Sequence, residues 1–173
     1  MKRIILIVCA LMLSLASFGQ KYDTDFKHTH RMKVSGKTTV MKGHLDYDGK
    51  ENLNMIYSDP EGDYFIVDGS VIKMNLYGKK AELDAEKVPM IKLQRATLLN
   101  CLAGNWEQAA KENNAKATSS DKLGFRTVNI VSEKVVPRGG YKSVSITYRI
   151  KDGLVTRLAL EDAVGIEDTY EMQ

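Results

Sequence analysis

The sequence lacks an apolar run long enough to span a bilayer, which requires about 20 residues. Its longest run covers residues 4–15 and follows two basic residues. A basic start, a short apolar run and the small residues Ser17 and Gly19 are typical of a cleaved signal peptide. We therefore predict that residues 1–19 are removed on export to the periplasm and that the mature chain begins at Gln20.

Cysteine is also scarce. Cys9 lies inside the apolar run, with no lipidation motif at the end of that run, and Cys101 is the one cysteine that follows it. An exported chain with a single thiol forms no internal disulfide, so its hydrophobic core must hold it together. Nothing in the sequence marks Cys101 as a reactive thiolate, and we expect a small buried side chain on a helix.

The sequence has neither a strong net charge nor a set of reactive side chains. Residues 20–173 contain 23 basic and 22 acidic residues. This balance argues against a nucleic-acid partner, which would select a clustered basic face. The sequence contains no glycine-rich phosphate loop and no recognisable pair of nucleophile and base. We therefore expect a protein that is not an enzyme and that uses no cofactor.

Period-two alternation is abundant, and it is typical of half-buried β-strands. Met41, Gly43, Leu45 and Tyr47, for example, share one face of a strand. The alternation predicts about ten strands in a single domain over residues 20–173, with residues 113–122 mainly a polar loop. The predicted strand segments are residues 26–34, 41–47, 53–57, 64–67, 71–76, 80–84, 116–119, 125–135, 144–150, 155–161 and 169–172.

One apolar helix interrupts the strands. Pro89 suits a first helical turn and Gly104 suits the position just after a helix, which predicts a helix over residues 89–103. Its apolar arc is broad, so the helix should contact apolar groups on more than one side. A second, shorter helix is predicted over residues 106–112, with Trp106 packing it against the sheet.

Three histidines form the sharpest candidate for a metal site. His28 and His30 share one face of the first strand and His44 lies on the second, and such a set is able to hold zinc. If the chain turns in a two-residue loop at residues 36–37, apolar residues face one another and His44 points away from the other two. A one-residue shift in the pairing of the first two strands would bring the three histidines onto one face, but it would no longer place apolar residues opposite one another. We therefore expect no metal site.

Short turn and strand motifs follow one another in a specific order along residues 20–173. They are Gly43-x-Leu45, Tyr57-x-x-Pro60, Val67-Asp68-Gly69 with the apolar strand after it, the helical residues 89–104, Leu160-Glu161-Asp162, Gly165 and Thr169-Tyr170. In this order and spacing the chain resembles the LolA-like family of outer-membrane lipoprotein carriers.

The resemblance implies a mainly β (α+β) fold: an unclosed, strongly curved antiparallel β-barrel with a helical lid over an apolar concave face. It also implies a periplasmic carrier that moves acylated lipoproteins from an inner-membrane lipoprotein-releasing transporter to an outer-membrane acceptor. The chain departs from the family in having no amphipathic helix before the first strand. It also carries Lys50 in a turn where the family often has an arginine implicated in lid closing, so Lys50 is the candidate lid-closing cation.

Methionine on the predicted inner face indicates where a ligand would bind, because its flexible side chain adapts to variable apolar ligands. We predict that a set of apolar residues on the inner faces of the strands and on the helix lines the cavity and its lid. They are Met32, Met41, Leu45, Tyr47, Leu53, Met55, Tyr57, Ile72, Met74, Met90, Leu93 and Leu98. The alternative is a solid core in which methionine fills gaps.

We accordingly predict a monomeric chaperone that binds the acyl chains of lipoproteins and delivers them toward the outer membrane. Two alternatives stay open. One is a half-barrel that binds free lipid or senses mislocalised lipoproteins. The other is a structural envelope protein with a solid interior that binds no ligand.

Overall fold

A computed structural model describes residues 20–173, and the predicted signal peptide lies outside the described residues. The strands are β1 (Tyr22–Met32), β2 (Thr38–Tyr47), β3 (Leu53–Asp59), β4 (Glu61–Asp68), β5 (Val71–Leu76), β6 (Lys79–Asp84), β7 (Ala115–Lys122), β8 (Phe125–Ser132), β9 (Tyr141–Arg149), β10 (Val155–Asp162) and β11 (Ile166–Met172). A 3₁₀ turn (Ala85–Lys87) precedes helices α1 (Pro89–Leu102) and α2 (Trp106–Glu112). None of the described helices has the length and apolar character that crossing a membrane requires.

All eleven strands belong to one antiparallel sheet, in the order β6-β5-β4-β3-β2-β1-β11-β10-β9-β8-β7. Strand β1 pairs with β11, which joins the first and last strands at the middle of the sheet. Strands β6 and β7 are the two edges, so the sheet is not closed into a barrel. Because the chain passes from β6 to β7 through α1 and α2, the helices connect one edge of the sheet to the other.

Two tyrosines show that the sheet curves around α1. The hydroxyl of Tyr47 on β2 donates to the carbonyl oxygen of Leu99 at 3.4 Å, and that of Tyr148 on β9 donates to the carbonyl oxygen of Cys101 at 3.0 Å. Strands β2 and β9 are four steps apart in the sheet, which is about 19 Å in a flat arrangement. Both hydroxyls reach the same helical turn because the sheet bends around it, which confirms the predicted curved, unclosed barrel with a helix on its concave face.

The hydrophobic core lies between this concave face and the helices. Along β2 the side chains alternate, and Met41, Gly43, Leu45 and Tyr47 are all buried, as the sequence pattern predicted. Equivalent inward positions of β8, β9 and β10 complete the core from the other half of the sheet. Burying large apolar side chains stabilises a fold by about 1.5–3 kcal/mol each, so this layer holds residues 20–173 together, in which Cys101 is a free thiol.

Helix α1 begins and ends close to where the sequence predicted. Pro89 occupies the first turn, and Gly104 just after the end has a φ of 82°, a left-handed conformation that glycine adopts at little cost. The buried Thr97 interrupts the apolar arc, and the structure shows why it is tolerated. Its hydroxyl donates to the carbonyl oxygen of Leu93 and accepts a hydrogen bond from the side-chain amide of Asn113 at 2.7 Å, which ties α1 to the end of α2.

The short strand predicted at residues 116–119 is present but longer than predicted, because strand β7 spans Ala115–Lys122 and leaves little of the predicted loop at residues 113–122. Its polar, largely exposed residues carry little alternation that a sequence pattern would detect. The strand forms because Leu123 and Gly124, both with positive φ, turn the chain back. Strand β7 then pairs along its whole length with β8.

The two-residue loop predicted at residues 36–37 was also wrong. Strand β1 ends at Met32, and the loop is closed by the backbone hydrogen bond from Met32 N to the carbonyl oxygen of Lys37. The longer loop places Phe26 opposite Gly43 and His28 opposite Met41. The observed pairing of β1 with β2 therefore differs from the pairing that a loop at residues 36–37 would give by an even number of residues. Each side chain accordingly keeps the sheet face that the sequence predicted for it.

The burial of Cys101 predicts an unreactive thiol. Cys101 is fully buried on α1, and desolvation raises the pKa of its thiol to about 12. Because the thiolate is the reactive species, we expect labelling by a thiol reagent at mildly alkaline pH to be at least about 100-fold slower in the native protein than in denaturant. A colorimetric thiol assay measures both rates. Rapid labelling of the native protein would contradict the prediction and would show that α1 often leaves the sheet.

Candidate functional site: an apolar cavity beneath helix α1

An apolar cavity of about 190 Å³ lies between α1 and the concave face of the sheet. Both halves of the sheet contribute to its wall, and Leu98 and Leu102 of α1 cover it. The lining residues are Leu45, Met55, Tyr57, Phe65, Met74, Leu76, Leu98, Leu102, Tyr141, Leu158, Leu160, Asp168, Tyr170 and Met172. The interior therefore contains space at the position where the sequence analysis placed a ligand.

Five of the twelve predicted site residues line this cavity, namely Leu45, Met55, Tyr57, Met74 and Leu98. Four others, Met41, Tyr47, Leu53 and Ile72, are buried in the core without lining it. Leu93 is half-buried on α1. Met90 lies beside the loop around Gly139. Met32 at the end of β1 is 39% exposed. Ligand contact by any of the twelve stays a prediction.

The lining residues that the sequence analysis missed come mainly from the C-terminal strands. Tyr141 lies on β9, Leu158 and Leu160 on β10, and Tyr170 and Met172 on β11. They lie opposite the N-terminal strands because β1 pairs with β11. The sequence did contain a signal for them, because residues 168, 170 and 172 are two apart on β11 and therefore share one face of the sheet, as the inward residues of β2 and β3 do.

Helix α1 is attached unevenly. Its buried residues are Thr97, Leu98, Leu99, Cys101 and Leu102, all in the C-terminal half. The two tyrosine hydroxyls described above also bond to this half. The N-terminal half is only partly buried. Its side chains bond to the rest of the fold through Gln94, which donates to the carbonyl oxygen of Gly139, and through the ion pairs of Lys92 with Glu86 and of Arg95 with Glu51. The helix thus has one anchored end and one lightly held end.

The turn between β2 and β3 contacts the anchored end. Lys50 is exposed there and borders a shallow surface depression together with Leu99 and Asn100. Within the described chain the ion pair between this turn and α1 is made by its neighbour, because Glu51 lies 3.9 Å from the guanidinium of Arg95. Such exposed pairs contribute at most about 1 kcal/mol. The role of Lys50 in closing a lid stays a prediction.

A polar cluster borders the cavity on the β1–β11 side. Asp168 of β11 lines the cavity, and its Oδ1 atom accepts hydrogen bonds from Nε2 of His28 at 2.8 Å and from Nδ1 of His30 at 2.7 Å. The other ring nitrogen of His28 lies 3.0 Å from the hydroxyl of Tyr57. Tyr170 stacks on the His28 ring with centroids 4.3 Å apart. The cluster places a hydrogen-bonded carboxylate at an otherwise apolar wall.

The ionisation of this cluster follows from its contacts. Burial by itself raises the pKa of Asp168, but the hydrogen bonds from His28 and His30 outweigh it and hold the pKa of this carboxyl below its usual value. Burial raises the pKa of both Tyr57 and Tyr170 well above the ordinary value. Burial raises the pKa of Tyr141 in the same way, so the cavity wall presents one carboxylate and three protonated phenols.

His44 lies on the opposite face of the sheet from His28 and His30, as the sequence analysis predicted. It is exposed and contacts Asp23 and Asp25, each at 2.8 Å. The hydrogen bond to Asp25 is the main reason that the pKa of His44 is raised. The residue that joins His28 and His30 is instead Asp168, which the sequence analysis did not consider as a partner.

No known family model matches the chain, and no curated protein matches it either. Among solved structures, the chain is similar to a LolA superfamily protein from Nitrosomonas europaea, with 8% identity, a TM-score of 0.39 and coverage of 90% of this chain and 84% of that one. It is also similar to MucB in its complex with MucA from Pseudomonas aeruginosa, with 10% identity, a TM-score of 0.46 and coverage of 90% of this chain and 51% of that one.

A third similar structure is the Mycobacterium tuberculosis lipoprotein LppX, with 12% identity, a TM-score of 0.29 and coverage of 87% of this chain and 85% of that one. All three TM-scores are below 0.5, so these similarities carry no conclusion about function.

Proposed function

We propose that the protein is a periplasmic carrier that holds the acyl chains of lipoproteins between α1 and the concave face of the sheet. The observation that carries the proposal is the apolar cavity beneath α1. The motif order that resembles the lipoprotein carriers supports it. The protein acts as a monomeric binding protein and not as an enzyme, taking acylated lipoproteins from an inner-membrane transporter to an outer-membrane acceptor.

The size of the cavity defines how the ligand enters. Each buried methylene contributes about 0.8 kcal/mol, so acyl chains gain a large free energy when they leave water. An engineered apolar cavity of roughly 150 Å³ accepts a molecule the size of benzene, and the cavity of about 190 Å³ therefore holds only a segment of one acyl chain. A lipoprotein with several chains requires α1 to move away from the sheet.

The attachment of α1 suits such a movement. Its C-terminal half is buried and bonded to Tyr47 and Tyr148. Its N-terminal half is half-buried and packs next to the loop around Gly139. Rotation about the anchored end lifts residues 89–95 from the sheet and extends the cavity along the helix, while Leu98 and Leu102, which cover the cavity, stay in the buried half. The loss of contacts at the lightly held end offsets part of the acyl-chain binding energy, which is what a carrier that must also release its cargo requires.

The small volume of the cavity also favours a second candidate function, the binding of a free single-chain lipid. Such a ligand fits with little displacement of α1. A sensor of mislocalised lipoproteins would have the same site. Dependence of cargo loading on an inner-membrane transporter distinguishes the carrier from both of these functions.

Native mass spectrometry tests the proposal. The purified protein is incubated with a triacylated lipoprotein in mild detergent, the detergent is removed, and the mass of the complex is recorded. We expect a one-to-one complex, because the cavity and the displaced helix form a single site. Parallel samples contain a lipoprotein without acyl chains or a free fatty acid.

The parallel samples decide between the candidates. Binding of the acylated lipoprotein alone supports the carrier, whereas binding of the free fatty acid alone supports the second candidate. If the lipoprotein without acyl chains bound as well as the acylated lipoprotein, a protein surface and not the cavity would be the binding site. Bare protein in every sample would favour the structural envelope protein and would contradict both binding functions.

A further inference from the structure

We propose that His28, His30 and Asp168 form a binding site for a divalent transition-metal ion, for which zinc is the appropriate probe. The three side chains each offer one ligand atom, and these atoms all lie within 4.8 Å of one another. The site borders the proposed acyl-chain cavity, and metal binding goes beyond the proposed carrier function. It lies at the β1–β11 side of the cavity, where Asp168 reaches the wall.

The backbone register places these ligands together. His28 and His30 are two residues apart on β1 and therefore project from the same face of the sheet. In the pairing of β1 with β11, Asp168 lies directly opposite His30, and Tyr170 lies opposite His28. Asp168 is thus diagonal to His28 on the same face. Two neighbouring strands fix all three ligands, so the site does not depend on a mobile loop.

The donor set fits zinc. Imidazole nitrogen and carboxylate oxygen are common zinc ligands at about 2.0–2.2 Å, and two histidines with one carboxylate form a known type of site that leaves a fourth position open. Tetrahedral coordination at these bond lengths separates neighbouring ligand atoms by about 3.3 Å. The hydrogen-bonded atoms are now 2.8 and 2.7 Å apart. An ion that replaces the two shared protons therefore requires each of these two separations to widen by about 0.5 Å, and it requires the two ring nitrogens, which lie within 4.8 Å of each other, to settle at about 3.3 Å.

The surroundings of His28 orient it for metal binding. Its side chain is 4% exposed, and the ring is held on one side by stacking on Tyr170. Its second ring nitrogen contacts the hydroxyl of Tyr57, and metal-binding histidines commonly use this nitrogen in a hydrogen bond that fixes the ring. The side chains of His30 and Asp168 are 23% and 30% exposed. Solvent on this side gives an ion access and leaves room for a water ligand.

Zinc titration by calorimetry on the purified protein, after removal of metal with a chelator, tests the site. We expect one zinc ion per chain, and we expect a cobalt(II) ion at the same site to give the visible absorption of tetrahedral nitrogen and oxygen coordination. His30→Ala and Asp168→Asn should abolish both signals. Tyr57→Phe removes the hydroxyl that orients His28 and should weaken zinc binding by about 10- to 100-fold.

His44→Ala is the matched control, because it removes a histidine from the adjacent strand on the opposite face of the sheet. It should bind zinc as the wild-type protein does. Circular dichroism checks that each variant is folded, and if Asp168→Asn is not, His30→Ala and Tyr57→Phe decide the outcome. Absence of zinc binding in the folded wild-type protein, or equal binding by folded His30→Ala, would show that the cluster is only a hydrogen-bonded triad. Lipoprotein binding is measured separately, so failure of the metal site leaves the carrier proposal unaffected.

Discussion

Replacing Gly43 with alanine is expected to destabilise the protein by about 3 kcal/mol, which is at the upper end of the usual cost of forcing atoms into a packed core. A β-carbon at this position would lie 2.5 Å from the carbonyl oxygen of Ile56 and 2.7 Å from the ring of Phe26. The first of these neighbours is backbone. The second is a ring that is itself confined, because Phe26 packs edge-on against Tyr57 at 5.2 Å between ring centroids.

Thermal unfolding followed by circular dichroism measures this effect. For a domain of this size, a loss of about 3 kcal/mol corresponds to a fall in melting temperature of about 6–12 °C. Lys42→Ala is the matched control, since Lys42 is the exposed neighbour on the same strand, and it should shift the melting temperature by no more than about 2 °C. A melting temperature for Gly43→Ala equal to that of Lys42→Ala would mean that Phe26 and β3 move freely enough to admit a side chain.

Gly43 also illustrates what alternation predicts and what it leaves open. The pattern placed Gly43 on the inner face together with Met41 and Leu45, and the structure buries all three. It did not predict that Phe26 would occupy the space above the glycine, because that contact depends on the register of β1 against β2. The register depends on the length of the loop after Met32, which local turn residues did not specify.

Long-range strand pairing also explains which residues of the site were predicted from the sequence and which were not. Both helices and most strand segments were predicted, since each has a local period or a local end signal. The pairing of β1 with β11 is not a local feature, and it brings Asp168, Tyr170 and Met172 to the cavity wall. The predicted lining set was therefore drawn from the N-terminal strands and α1. For the same reason the local pattern indicated His44 on the next strand as the third candidate metal ligand and gave no sign of Asp168.

Replacing Leu98 with tryptophan is expected to block the cavity while leaving the fold intact. Leu98 lies on the face of α1 that covers the cavity and is 9% exposed. An indole ring directed into a space of about 190 Å³ takes the volume that the ligand needs. Excluding only three methylenes of an acyl chain removes about 2.4 kcal/mol of binding free energy, which weakens affinity by about 50-fold.

A fluorescently labelled triacylated lipopeptide, titrated with each variant, gives the affinity. Lys92→Trp is the matched control, because Lys92 is exposed on the same helix and the added ring stays outside the cavity, so its affinity should equal that of the wild-type protein. The melting temperature of Leu98→Trp should remain near the wild-type value, since the ring fills existing space and forces no atoms apart. Unchanged affinity in a folded Leu98→Trp protein would place the acyl chains somewhere other than between α1 and the sheet, and the carrier proposal would lose the observation on which it rests.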